Sequence, residues 1–457
     1  MMFYKIFKNP IIQFILAVTV LLNKAVINGF PLLQAKSARI MIAASTSKVL
    51  NDLEGFYPFF VKYSSLGLSL WFTVIFQAAL LIYALNEIYK IHLKENKVVK
   101  FVCLIFLVFL SNVDYFVASI SPHIFALLSL LYGYLIFKKK GSIALNLAVV
   151  IISMLAVPIQ SSIILIVGII LLLIKRVKNW NLRDTNTTLL IATSLISACL
   201  VSILNKKYEG SYYYLKNASI YETARAFDRQ IAIDFLQEKC KEGSYYLGSI
   251  NVCKSKKHLS YISEQKFIYN KKSPLFMGEC LSKSRKTCWQ EKRNQFIFLI
   301  EGLKESGKYK NRLRLAWLSS AIKQLFYYEV KPLPNFNFHR TIKKHYPIDD
   351  GPYQSSLQMK GEIQFTLDNL IEAILVVGSF LFFLVQSFIK PKKYLPYFFT
   401  IFGVLFINAL AVTFFESASP HFQGRIVSIV CLALIISFFK SSFFSQLLIK
   451  LAEYLRN

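Results

Sequence analysis

Long apolar runs separated by short basic stretches dominate this chain. Residues 102–110, 163–174, 373–385 and 426–439 are examples. A helix crosses the bilayer core with about 20 mostly apolar residues, and nothing soluble needs so many segments of that kind. Hydrophobic residues make up 55% of the chain and charged residues 17%, and the mean hydropathy is +0.45. A water-soluble domain could not hide that much apolar surface, so the bilayer must act as solvent. The pattern predicts an all-α polytopic membrane protein.

Ten candidate spans have apolar cores at 11–27, 66–85, 101–110, 124–137, 143–157, 162–174, 189–204, 370–389, 395–415 and 426–439. The shorter ones extend into polar flanks or pack inside the bundle. Alternate connectors are basic. One set carries Lys90, Lys94, Lys97 and Lys100, then Lys138, Lys139 and Lys140, then Lys175, Arg176, Lys178 and Arg183, then Lys390, Lys392 and Lys393. The intervening connectors 111–122, 158–161 and 416–424 contain no Lys or Arg. This is the positive-inside pattern, and it predicts both termini in the cytoplasm. The loop 28–65 departs from it with Lys36, Arg39, Lys48 and Lys62, but longer loops cross largely regardless of charge. The net charge of +29 is therefore assigned to helix orientation and not to nucleic-acid binding. Lys5 and Lys8 precede the first apolar run, and no small-x-small cleavage site follows it, so an uncleaved first helix is expected.

The predicted domains are 1–204, with seven spans; 205–366, an extracytoplasmic, mainly helical insertion; 367–440, with three spans; and 441–457, a cytoplasmic tail. In the insertion, Ser219 and Glu222 read as a capping box. Ile220, Ala224, Phe227, Ile231 and Phe235 follow at helical spacing, and Leu315, Leu318, Ile322, Leu325 and Phe326 repeat the pattern. Gly307 is expected to stop the helix that contains Phe296, Leu299, Ile300 and Leu303. Cys240, Cys253, Cys280 and Cys288 all fall in the insertion, where an oxidising compartment favours disulfides. Four cysteines permit three pairings. Local pairing, Cys240 with Cys253 and Cys280 with Cys288, costs least in loop closure. Zinc is the alternative, but the spacings are not those of a zinc site.

Polar residues collect on the expected outer side. The first outer loop holds Asp52 and Glu54. The second holds Asp114, and His123 heads the fourth span. The last brings Glu416, His421 and Arg425 to the lip of the tenth. An Arg entering a span needs a carboxylate, a carbonyl or a phosphate, and Arg is the best bidentate partner for phosphate. His123 and His421 suit proton transfer near neutral pH. Each also has a plain structural role open to it: Arg425 snorkelling to headgroups, His123 closing a helix turn, Asp52 and Glu54 as solvated loop acids. No P-loop, dinucleotide fingerprint, HExxH or GxSxG occurs.

Three stretches, "NGFPLLQAKSARIM" through "YSSLGLSLWFTVIFQAALL", "SISPHIFALLSLLYGYLIF" and "SASPHFQGRIVSIVCLAL", resemble a group of uncharacterised bacterial inner-membrane proteins laid out like GT-C-type glycosyltransferases. "SIYETARAFDRQIAIDFLQEKC" and "CKSKKHLS" resemble that group's outer domain. The resemblance implies transfer of a sugar from a polyprenyl-phosphate carrier at the outer face, with an acid of the first outer loop as base or divalent-metal ligand. The net positive outer domain suits an anionic glycolipid acceptor, and membrane lipids are the other expected partners. Two acids of the group's pattern are replaced here, by Gln34-Ala35-Lys36 and by Pro122-His123. On this reading Arg425 and His421 hold the carrier phosphate, and Asp52 or Glu54 activates the acceptor hydroxyl. A non-catalytic scaffold of the same fold is the alternative. A flippase or transporter ranks below both.

Overall fold

The structure, a computed structural model, describes residues 9–34, 36–47, 55–93, 97–177, 185–210, 212–215, 217–247, 250–254, 260–263, 266–267, 285–327, 329–330, 338–415 and 420–440. The fold is helical, and a hairpin of two-residue strands is the sheet found among the described residues. Two compact units emerge. The first comprises Met1–Leu204, Tyr328–Ile407 and Pro420–Asn457; the second comprises Asn205–Tyr327 with Asn408–Ser419. Residues 328–366 of the expected outer insertion thus belong with the apolar unit.

In the first unit the helices run α1 (Pro10–Leu21), α2 (Asn23–Asn28), α3 (Ser37–Thr46), α4 (Tyr57–Ser64), α5 (Leu70–His92), α6 (Lys97–Leu110), α7 (Val113–Ala118), α8 (His123–Lys138), α9 (Ile143–Ala156), α10 (Ile159–Val177) and α11 (Thr185–Glu209). All seven apolar cores before residue 205 are helical. The first is broken at Leu22 and ends at Gly29, whose φ of +78° suits a residue without Cβ. Asn9 caps α1 through a 2.9 Å bond from the Ile11 N–H, with Pro10 at the first helical position. The loop 28–65 is itself helical in α3 and α4.

The second unit is built on α12 (Ala218–Asp228), α13 (Ile231–Glu242), strands β1 (Tyr246–Leu247) and β2 (Ile250–Asn251), α14 (Arg285–Glu305) and α15 (Gly307–Leu325). Ile220, Ala224, Phe227, Ile231 and Phe235 are buried as their spacing predicts, against Phe296, Leu299, Ile300 and Leu303. The capping box does not form. Asn217 occupies the N-cap, and Glu222 instead meets Lys304 at 2.8 Å. Gly307 opens α15 and does not end α14, which stops at Glu305. The Cys240–Cys253 disulfide, with Cα atoms 5.4 Å apart, ties the hairpin to α13. Cys280 lies outside the described residues, as does the side chain of Cys288.

The helix expected over 315–326 is present, but its apolar stripe faces outward. Leu315 is 66% exposed, Ile322 53% and Phe326 71%, while Tyr309, Leu313, Ala316 and Ala321 supply the buried face. The opposite edge of α15 packs on the end of a later helix. Trp317 Nε1 donates to the Leu410 carbonyl at 3.3 Å, and its ring meets Phe414 edge-on.

The chain completes the first unit with α16 (His339–His345), a 3₁₀ turn at Pro347–Asp349, α17 (Asp350–Ser355), α18 (Leu357–Lys360), α19 (Thr366–Ile389), α20 (Pro391–Phe415) and α21 (Pro420–Phe439). Four helices, Leu70–His92, Thr185–Tyr208, Thr366–Ile389 and Tyr397–Phe415, are long and apolar enough to cross a bilayer. Shorter apolar helices accompany them. On α19, Ile374 (62% exposed) and Phe388 (79%) stand outside the protein. Such apolar exposure is costly in water and neutral in lipid, which fits a multi-pass membrane protein.

Connectors gather at two ends of this unit. At one end, Leu32 bridges Ser119 in parallel and the Phe56 N–H donates to Leu155 O at 2.8 Å. Asp349 accepts from Ser69 Oγ at 2.6 Å and from the Leu70 N–H at 2.7 Å, closing the start of α5. Gln358 exchanges two bonds with Leu33, at 3.0 and 2.7 Å, and its N–H donates to Asn28 Oδ1 at 2.7 Å. At the other end, His92 meets Tyr134 OH at 2.6 Å and Lys440 at 3.1 Å, and the Ser142 N–H donates to Tyr83 OH. The connectors 111–122 and 158–161, without Lys or Arg, lie at the first end, but so do the loop 28–65 and residues 338–360, which bring Lys36, Arg39, Lys62, Arg340, Lys343, Lys344 and Lys360; the Lys-rich connectors after α5 and α8 lie at the second.

Candidate functional site

The connector between α6 and α8 is apolar enough to fold inward. Val113, Tyr115, Phe116 and Val117 are all buried, and their short helix carries Asp114 in with them. Asp114 is 2% exposed, and its Oδ1 accepts from the Tyr115 N–H at 2.9 Å. Burial pushes its carboxyl from the ordinary 3.8 up to about 7; Lys24 and the Tyr115 N–H pull it down, and Asp368 adds to the rise. A carboxyl that titrates near neutrality is suited to take a proton from a hydroxyl.

Three further elements converge on it. Asp368 and Glu372 lie four apart on one face of α19. Asp368 pairs with Lys24 of α2 at 2.8 Å in a partly exposed bridge. Glu372 is 1% exposed, and its Oε2 accepts from Asn112 Nδ2 at the head of α7. Its Oε1 is buried without a hydrogen-bond partner among the described residues. Glu372 feels the charges of Asp114 and Asp368. From α21, Cys431 donates to the Leu110 carbonyl at 3.4 Å and lies within electrostatic reach of Glu372.

Arg425 lies in the second turn of α21 and is 1% exposed, so it does not snorkel to headgroups. The helix that carries it packs on α6, α8 and α19. His123 opens α8, half-buried, with its ring edge-on to Phe116 at 6.3 Å. His421 lies in the first turn of α21, but its side chain is outside the described residues, as are Asp52, Glu54 and Glu416.

The two places where the resemblance expects acids are neighbours. Ser37 Oγ accepts from the Gln34 N–H and donates to Ile120 O, both at 2.8 Å. Gln34 Nε2 reaches Tyr115 OH at 3.4 Å, beside Asp114. Gln34 therefore lies beside the residue that follows Asp114. Among the described residues no three His, Cys, Asp or Glu side chains are grouped to hold a metal ion.

Sequence reasoning singled out Asp114 but passed over Lys24, Asn112, Asp368 and Glu372. The available signal was an acid inside the apolar run 370–389, which costs too much to be placed there idly. No protein-family model, curated protein or solved structure matches this chain.

Proposed function

We propose that this chain is a multi-pass enzyme of GT-C-like architecture that moves a sugar from a polyprenyl-phosphate carrier to an envelope glycolipid at the outer face of the bacterial inner membrane. The observation that carries it is the buried carboxyl of Asp114, with the buried Glu372 bonded to Asn112 at the head of the same short helix. Asp114 takes the proton of the acceptor hydroxyl. The acceptor oxygen bonds to the anomeric carbon as that carbon's bond to the carrier phosphate breaks. The carrier phosphate leaves with the bonding pair, and Arg425 holds its charge.

The orientation belongs to the same proposal: ten spans, both termini cytoplasmic, and the end that holds Asp114 outside. Reporter fusions at Lys139, Lys178 and Lys392 then read cytoplasm, and those at Ser161, Tyr261 and Ala418 read the outer side. A cytoplasmic signal at Tyr261 overturns the orientation.

The chemistry is tested by profiling envelope glycolipids in cells with and without the protein, then complementing with Asp114→Asn and Arg425→Lys at matched expression. The expected result is one missing glycan, restored by the native chain and by neither variant. Full restoration by both variants sinks the catalytic reading. It favours the scaffold reading, to which the replaced acids at Gln34 and His123 already point.

A further inference from the structure

At the Lys-rich end, a cleft of about 550 Å³ opens between α1, α5 and α6. Its chemistry is graded along its length. Lys90, Lys97 and Lys100 stand at the rim with Asn86, while Ala17, Ala79 and Leu104 line the floor. Ala79 and Lys90 are eleven residues apart on α5, so the cleft runs roughly 16 Å along the helix. Lys90 is paired with Glu87 at 2.6 Å and Lys100 reaches Asn86 at 3.3 Å, while Lys97 projects to solvent. The rim keeps a net positive charge beyond those contacts.

Tyr89, 2% exposed, closes one wall of the cleft. A basic rim above an apolar trough is complementary to an amphiphile with an anionic head. We propose that this cleft binds one anionic phospholipid, its phosphate between Lys97 and Lys100 and an acyl chain along α1 and α5. The site is separate from the Asp114 cluster and independent of the transferase reading.

The test uses full-length protein in detergent micelles and native mass spectrometry. Phosphatidylglycerol and phosphatidylcholine with matched chains are titrated separately, with inorganic phosphate as competitor. One phosphatidylglycerol should bind at least tenfold tighter than phosphatidylcholine. Each lysine near a membrane surface contributes about fivefold, so Lys97→Gln with Lys100→Gln should weaken binding roughly 25-fold. Ala79→Trp fills the trough and leaves the lysines, and should abolish the preference. Retained preference in Ala79→Trp means diffuse charge attraction and overturns the site. Equal binding of the two lipids overturns it as well. Displacement by millimolar inorganic phosphate shows that the head alone is bound and rejects the lipid.

A different observation carries a second inference. The outward stripe of α15, with Leu315, Leu318, Ile322 and Phe326, is flanked by Arg314 and Lys323. Trp317 anchors the same helix to Leu410 and Phe414, at the end of a helix able to span the bilayer. An apolar stripe with basic edges, held at the mouth of a span, is the pattern of a helix lying in the membrane interface. The geometry points to the outer-leaflet lipid surface as the occupant of this stripe. A photo-crosslinking residue at Leu318 or Ile322, introduced in the full chain in cells, should give lipid adducts, and one at Lys310 on the opposite face should not. Protein adducts, adducts to a second copy, no adduct, or equal lipid yield at Lys310 would each reject it.

Discussion

Replacing Asp114 by Asn should make the protein more stable at alkaline pH and, if the proposed function holds, inactive. The buried carboxyl titrates at about 7 in the fold against 3.8 ordinarily. A group raised in this way takes up a proton on folding. Its stabilising contribution is whole below pH 3.8 and is lost as the pH rises through about 7. Each pH unit between those two values is worth about 1.36 kcal/mol, so the charged form costs the fold about 4 kcal/mol at alkaline pH. Of this, roughly 2.5 kcal/mol is lost between about pH 5 and pH 8. Asn keeps the shape and cannot ionise, so Asp114→Asn should lack this loss. The assay is unfolding by sodium dodecyl sulfate titration from mild micelles, followed by circular dichroism, for both proteins at both pH values. Parallel pH dependence would falsify the claim that Asp114 is buried and raised. A gain of stability paired with loss of the glycan product is what a catalytic base kept in an unfavourable, buried setting produces.

Cys253→Ser should destabilise the second unit by about 3 kcal/mol, because the bridge closes a loop of sequence separation 13. Non-reducing peptide mapping that finds Cys240 and Cys253 as free thiols in native protein would refute the bridge. Asp349→Ala should cost about 1–3 kcal/mol by stripping acceptors from Ser69 and the Leu70 N–H. Asp349→Asn should recover part of that, and equal midpoints for all three proteins would count against the cap. Gly55→Ala should lower the unfolding midpoint, since φ is +75° and a Cβ would sit 2.5 Å from Ala156 O and 2.9 Å from Pro158 Cδ. The combined strain is about 1–3 kcal/mol, and an unchanged midpoint would show that the turn yields freely.

Each apolar core read from the sequence coincides with a helix, because hydropathy alone settles backbone form where no water can satisfy it. The charge alternation holds for the short connectors alone, since the longer segments 28–65 and 338–360 bring Lys and Arg to the end where the uncharged connectors 111–122 and 158–161 lie. Local rules did less well where tertiary contacts compete. Glu222 left its capping box for Lys304 because the longer-range pair was within reach. The stripe of α15 read as core because periodicity marks an apolar face without saying what meets it. In the candidate site, Asp114 was visible as a polar residue in an uncharged connector. Its neighbours were not, since Lys24 and Glu372 come from helices separated by hundreds of residues and only the packed bundle makes them adjacent.

Gln358 imposes a timetable on synthesis. Its side chain and N–H answer Leu33 and Asn28, and the bonds to Leu33 span 325 residues. At about 5–20 residues per second, the ribosome needs roughly 16–65 s to make the chain in between. Throughout that interval the Leu33 amide and carbonyl and the Asn28 side-chain oxygen must be met by water or by a chaperone. The first seven apolar segments are therefore threaded before their loop can be locked. A chain that terminates anywhere before Gln358 carries this defect permanently, exposing polar backbone beside apolar helices, which is the kind of surface that quality-control proteases act on.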